Sequence, residues 1–172
     1  MHHGSVEDMT DLPDGTEGTA EIAFDVPGWP PTKNEATSLL SAGHSHAARV
    51  RALLNAAGQA AARLGWPPLA CQIALDLVVR GPNQAPSDAT NYLGGVGDVL
   101  QVKATGNLDL AHLGALRQVA LYLDDRQVRQ IRYTEEWAEQ PSYTVRIHPL
   151  AVGAAPGPAA GQSSSSAPHP LN

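Results

Sequence analysis

The sequence predicts an α+β fold in which helices pack on a mixed β-sheet, and three observations carry that expectation. Short segments with apolar residues at every second position recur along the chain, as in strands with one buried face. Between them lie two stretches with apolar residues at helical spacing. The two ends lack either pattern, which leaves one domain over residues 20–150 of the 172.

The first candidate strand has Ile22, Phe24 and Val26 alternating with Ala23 and Asp25, and it stops at Pro27-Gly28-Trp29-Pro30-Pro31. A helix is expected over about 45–64 from the spacing of Val50, Leu53, Leu54, Ala57, Ala61 and Leu64, with Gly65 and Pro67-Pro68 as its stop. Ile73, Leu75, Leu77 and Val79 then define a strand that ends at Arg80-Gly81-Pro82. Asp88 is placed to cap a second helix carrying Tyr92, Val96, Val99 and Leu100, which Gly94 and Gly95 weaken by roughly 1 kcal/mol each relative to Ala. Glycines retained at that cost suggest a close approach.

Residues 103–118 read as an insertion, with the turn-like Thr105-Gly106-Asn107 and a short helix carrying Leu110, Leu113 and Leu116. Three more strands are expected, over 119–123, from 128 to about 135, and through Tyr143, Val145 and Ile147. The second Gly-Trp-Pro-Pro, at 65–68, has unrelated flanks and is no repeat.

Residues 1–19 read as a solvated acidic arm: no Lys or Arg precedes residue 27, and Glu7, Asp8, Asp11, Asp14 and Glu17 sit among small polar residues. Residues 151–172, rich in Ala, Gly, Pro and Ser, read as a disordered tail. The net charge of -6 therefore misdescribes the domain, because 27–150 holds all 11 Lys and Arg against ten carboxylates and is near neutral. No dense basic patch marks it as a nonspecific DNA binder.

Cys71 is the only cysteine, so no intrachain disulfide forms, and its place at the head of an apolar run predicts a buried thiol. No window resembles a membrane span or a secretory signal, and the expectation is a soluble, cytoplasmic protein.

Four acids fall at the edges of predicted elements: Asp88 at a helix start, Asp98 within that helix, and Asp124 with Asp125 at the end of the 119–123 segment. Asn91, Gly94 and Asp98 stand at i, i+3 and i+7, on one helix face. Converging carboxylates call for a cation, since each otherwise raises the other's pKa. Mg²⁺ takes one or two carboxylates, waters and phosphate oxygens, and metal-assisted phosphodiester hydrolysis is the chemistry such a site serves. The same acids also have plain structural readings, Asp88 as a cap, Asp98 as a solvated helix residue and Asp124-Asp125 as a turn.

Three blocks, DVPGWPPTKN (25–34), SDATNYLGGVGDVL (87–100) and LYLDDRQV (121–128), resemble in order those of the RusA-like Holliday junction resolvases. The resemblance covers most of 20–148. It implies a homodimeric, divalent-metal-dependent endodeoxyribonuclease acting on branched DNA in recombination and repair, with Mg²⁺ or Mn²⁺ as cofactor. Carried over, Asp88, Asp98 and Asp125 are the catalytic acids, and these with Asp124 are the metal ligands. The chain departs from the pattern at Thr90, where the family has an acid, at Gly94, where it commonly has Lys, and at Asn83-Gln84-Ala85-Pro86-Ser87, which replaces a basic run. These departures motivate an alternative, a RusA-fold DNA- or protein-binding module without catalysis.

The candidate DNA contacts are Lys33, Arg80, Asn91, Arg126 and Arg132. Arg126 and Arg132 are expected to project alike from a strand and Arg129 oppositely. His44-Ser45-His46 reads as a solvated turn, and Trp29 and Trp66 as cover for the core edge. No phosphate loop, zinc spacing or serine nucleophile elbow occurs.

Overall fold

The computed structural model describes residues 21–33, 38–103 and 109–151. The expected arm and tail, and the turn at 105–107, lie outside these residues.

Strand β1, Ile22–Pro27, buries Ile22, Phe24 and Val26 and exposes the residues between them, as its alternation predicts. It ends at Gly28, whose φ of 85° favours glycine and whose N–H reaches the Pro141 carbonyl at 2.8 Å. Helix α1, Ala47–Leu64, turns Val50, Leu53, Leu54, Ala57 and Ala60 inward and lies on β1. Gly65 closes it in the left-handed conformation, with its N–H on the Ala61 and Ala62 carbonyls.

Strand β2, Ile73–Gly81, and helix α2, Ala89–Leu100, follow. Strands β3, Val128–Trp137, and β4, Ser142–Pro149, complete a mixed sheet of order β1-β4-β2-β3. β4 is antiparallel to both neighbours, and β2 and β3 are parallel. The fold is therefore α+β, with its helices packed on a mixed four-stranded sheet. One core joins Leu75, Leu77, Val145 and Ile147 of the sheet to Leu53 and Leu54 of α1 and to Tyr92, Val96 and Val99 of α2. Each such side chain contributes about 1.5–3 kcal/mol on burial.

The opposite face of the sheet is polar. There Arg80 donates to Thr144 Oγ1 at 2.7 Å and to Glu136 Oε2 at 2.8 Å, and Thr144 donates to Asp25. Trp29 covers the sheet's end, so close to Gly81 that an added Cβ would stand 2.3 Å from its ring.

Four expectations need correction. Residues 119–123 form no ladder: Tyr122 makes isolated bridges to Leu69 and Gln101, and Leu121 bonds Leu100 and Leu69. Its apolar run marks burial, with Leu121 and Tyr122 fully buried, rather than pairing in the sheet. Cys71 is exposed, because β2 begins two residues later at Ile73. His44 is buried, its Nδ1 accepting from the His46 N–H at 3.0 Å, while His46 Nδ1 accepts from the Thr32 N–H at 3.2 Å. That turn is therefore an ordered junction rather than a solvated one. Arg126 lies in a 3-10 turn, Asp125–Gln127, before β3 begins, so strand alternation does not govern it. The 103–118 insertion contributes a 3-10 segment, Ala111–Gln118, broken at Gly114.

Candidate functional site

Residues 31–33 lie directly on α2. The Lys33 N–H donates to the Asn91 carbonyl at 3.0 Å, and a Cβ on Gly95 would come within 2.2 Å of the Pro31 carbonyl oxygen. At Gly94 an added Cβ would meet only the Lys33 stem, at 3.3 Å. The paired glycines thus leave a flat helix face along which residues 31–33 run. The Lys33 ammonium ends on Asp98, 3.0 Å from Oδ1 and 2.9 Å from Oδ2.

Four hydrogen bonds from one side chain shape the Asp124-Asp125 turn. Gln127 Oε1 accepts the N–H groups of Leu123 and Asp124, both at 2.8 Å, and its Nε2 donates to the Leu69 and Cys71 carbonyls at 2.8 and 2.7 Å. Asp124 forms a capping box with Gln127 and also accepts from the Arg126 N–H at 2.8 Å. That bond, aided by the Asp125 side chain and the Arg126 charge, holds the Asp124 carboxyl below its usual range. The Asp125 N–H donates to Gln101 Oε1 at 3.1 Å, which fastens the turn to the end of α2.

Asp98 and Asp125 therefore open on one cleft of about 390 Å³, shared with Lys33, Thr90, Gly94 and Ile131. Behind it, burial holds the Tyr122 phenol well above its ordinary pKa, with the negative charges of Asp125 and Asp98 adding to the effect. Asp88 faces elsewhere: it caps α2, accepting from the Asn91 N–H at 2.9 Å and from Asn91 Nδ2 at 2.7 Å, and both residues line a separate cleft of about 640 Å³ with Glu135. Asp124 is engaged as the cap of its own turn. Among the described residues, no group of three or more His, Cys, Asp and Glu side chains gathers in a metal-holding arrangement. Two carboxylates on one cleft, which Thr90 also lines, still match the donor set Mg²⁺ uses when waters and phosphate oxygens supply the rest.

Of the candidate DNA contacts, Lys33 alone lines the cleft with the two acids. Arg80 and Arg132 project from the opposite face of the sheet, Arg132 in register with Asp76, and Arg126 is exposed beside Asp124. Two site residues escaped the sequence reading, Gln101 and Gln127. The spacing Asp124-x-x-Gln127 is a capping-box signature and could have revealed the second.

Compared with protein-family models and with curated proteins, the chain matches none.

The described residues include no helix long and apolar enough to cross a membrane.

Proposed function

We propose that this protein is a RusA-like, divalent-metal-dependent endodeoxyribonuclease acting on branched DNA. The observation that carries the reading is the opening of Asp98 and Asp125, from elements distant in sequence, on one cleft. Asp98 and Asp125 would hold the cation, which supplies Lewis-acid activation of a phosphodiester and its attacking water. Thr90 offers a neutral oxygen where a third acid would bind more strongly. Lys33 places a positive charge at the same opening for a phosphate. The test is incubation with a synthetic four-way junction and Mg²⁺ or Mn²⁺. Cleavage that falls at least about 100-fold in Asp125→Asn is expected, and an uncut junction overturns the reading.

A second reading, a RusA-fold binding module without catalysis, is favoured by the Lys33–Asp98 ion pair and by Asp88 turning away to its cap. Metal-independent junction binding that is unchanged in Asp125→Asn, without cleavage, supports it.

The reading extends to a homodimer paired along the outer edge of β3, the sheet's last strand. Antiparallel pairing about Thr134 puts Ile131 opposite the partner's Trp137 and Arg132 opposite the partner's Glu136. This register covers two exposed apolar side chains, Ile131 and Trp137, and joins opposite charges. Ile131 also borders the acid cleft, so the partner's Trp137 would stand at its rim.

A further inference from the structure

We infer that Lys33 is the resident counter-ion of the acid cleft: its ammonium holds the Asp98 carboxylate where a divalent cation would otherwise bind, so that cation entry requires Lys33 to withdraw. The inference rests on the metal-dependent reading above and describes how that site is regulated.

Both Asp98 oxygens lie within 3.0 Å of the ammonium, so neither is presented to the cleft without it. The lysine is also delivered from a fixed base. Its own N–H is bonded to the Asn91 carbonyl, and the neighbouring Pro31 carbonyl is seated on Gly95, where any Cβ would collide with it. The stem passes over Gly94, and the charge arrives one helical turn further on, at Asp98. Helix α2 carries no cation of its own in its last turn. Lys33 supplies from another segment the positive charge that α2 lacks.

Withdrawal is open to it. The Lys33 side chain is 55% exposed and Asp98 28%, so the ammonium can return to water without leaving a deeply buried charge behind. An ion pair of this exposure is weak, and a divalent ion carries twice its charge to the same carboxylate, with Asp125 lining the same cleft. The pair therefore moderates cation affinity rather than abolishing it. Among the described residues, Asp98 and Asp125 are the acids that line the cleft with Lys33, and no second Lys or Arg lines it.

The test is Mn²⁺ binding by the full chain without DNA, read by electron paramagnetic resonance. Lys33→Met keeps the stem over Gly94 and removes the charge, and Lys33→Gln is a second variant of the same kind. Either is expected to bind Mn²⁺ about two- to fivefold more tightly than wild type, while Lys33→Arg stays near wild type. In an Asp98→Asn background the gain should vanish. Unchanged or weaker binding in both neutral variants overturns the inference, as does a gain that persists without the Asp98 carboxylate or a failure of every variant to bind Mn²⁺. Junction cleavage is scored separately. Tighter Mn²⁺ binding without cleavage removes the nuclease reading and leaves this inference standing, and cleavage with unaltered Mn²⁺ affinity does the reverse.

Discussion

The Tyr122 hydroxyl donates to the Gly97 carbonyl at 2.8 Å, across 25 residues of chain. It joins the segment that leads into Asp124 and Asp125 to the helical turn that carries Asp98, and it satisfies a carbonyl near the end of α2. Tyr122→Phe leaves that buried acceptor without its donor and should cost about 1–3 kcal/mol in urea unfolding. An equal stability would show that the bond adds nothing.

Gly94 and Gly95 are adjacent, yet they should respond differently to alanine. Gly95→Ala drives a methyl into the Pro31 carbonyl and is expected to destabilise by about 1–3 kcal/mol. Gly94→Ala meets only the flexible Lys33 stem, and a helix-propensity gain of up to about 1 kcal/mol offsets the contact. Thermal melts of the two variants check the contrast.

Gln127→Ala removes four hydrogen bonds from the Asp124-Asp125 turn at once. A loss of about 2–4 kcal/mol in chemical denaturation is expected. Mn²⁺ affinity should fall as well, because Asp125 loses its orientation. Gln127→Glu cannot donate to the Leu69 and Cys71 carbonyls and should recover only part of the loss.

Lys103 has a pKa lowered by burial to about 8, from an ordinary value of 10.5. Below about pH 8 both folded and unfolded chains carry the proton, and the folded chain bears the cost of a partly buried ammonium. Between about 8 and 10.5 the folded chain has released a proton that the unfolded chain keeps, so stability rises with pH by up to about 3 kcal/mol. The rise should be missing from Lys103→Met when urea unfolding is followed across that range. Above about pH 10.5 the trend reverses, since burial raises Tyr122, Tyr133 and Tyr143 and their protons leave the unfolded chain first.

Arg132→Glu and Trp137→Asp should each dissociate the proposed β3 dimer in sedimentation velocity. Leu64→Asp, which changes another exposed apolar side chain, on α1, should leave it intact. A wild type that sediments as a monomer removes the pairing.

Elements with a buried face were legible because burial itself writes the alternation: β1, α1, β2 and β4 lie where their apolar spacing puts them. The Asp88 cap and the Gly65 stop were legible for a similar reason, being local backbone chemistry. The 119–123 segment was misread because an apolar run reports exclusion from water and says nothing of which backbone groups it pairs with. At the site, helix periodicity grouped Asn91 with Asp98, whereas the cap bond turns Asn91 toward Asp88. The meeting of Lys33 with Asp98 spans 65 residues and depends on two backbones touching at Gly95, a contact with no periodic signature.

Cys71 is the only thiol in the chain, it is exposed, and its carbonyl receives the Gln127 amide. Nature has thus left a single labelling handle beside the side chain that orders the Asp124-Asp125 turn. A fluorophore or nitroxide attached there needs no engineered cysteine, and its mobility would give a direct optical or magnetic readout of that turn as ions or DNA are added.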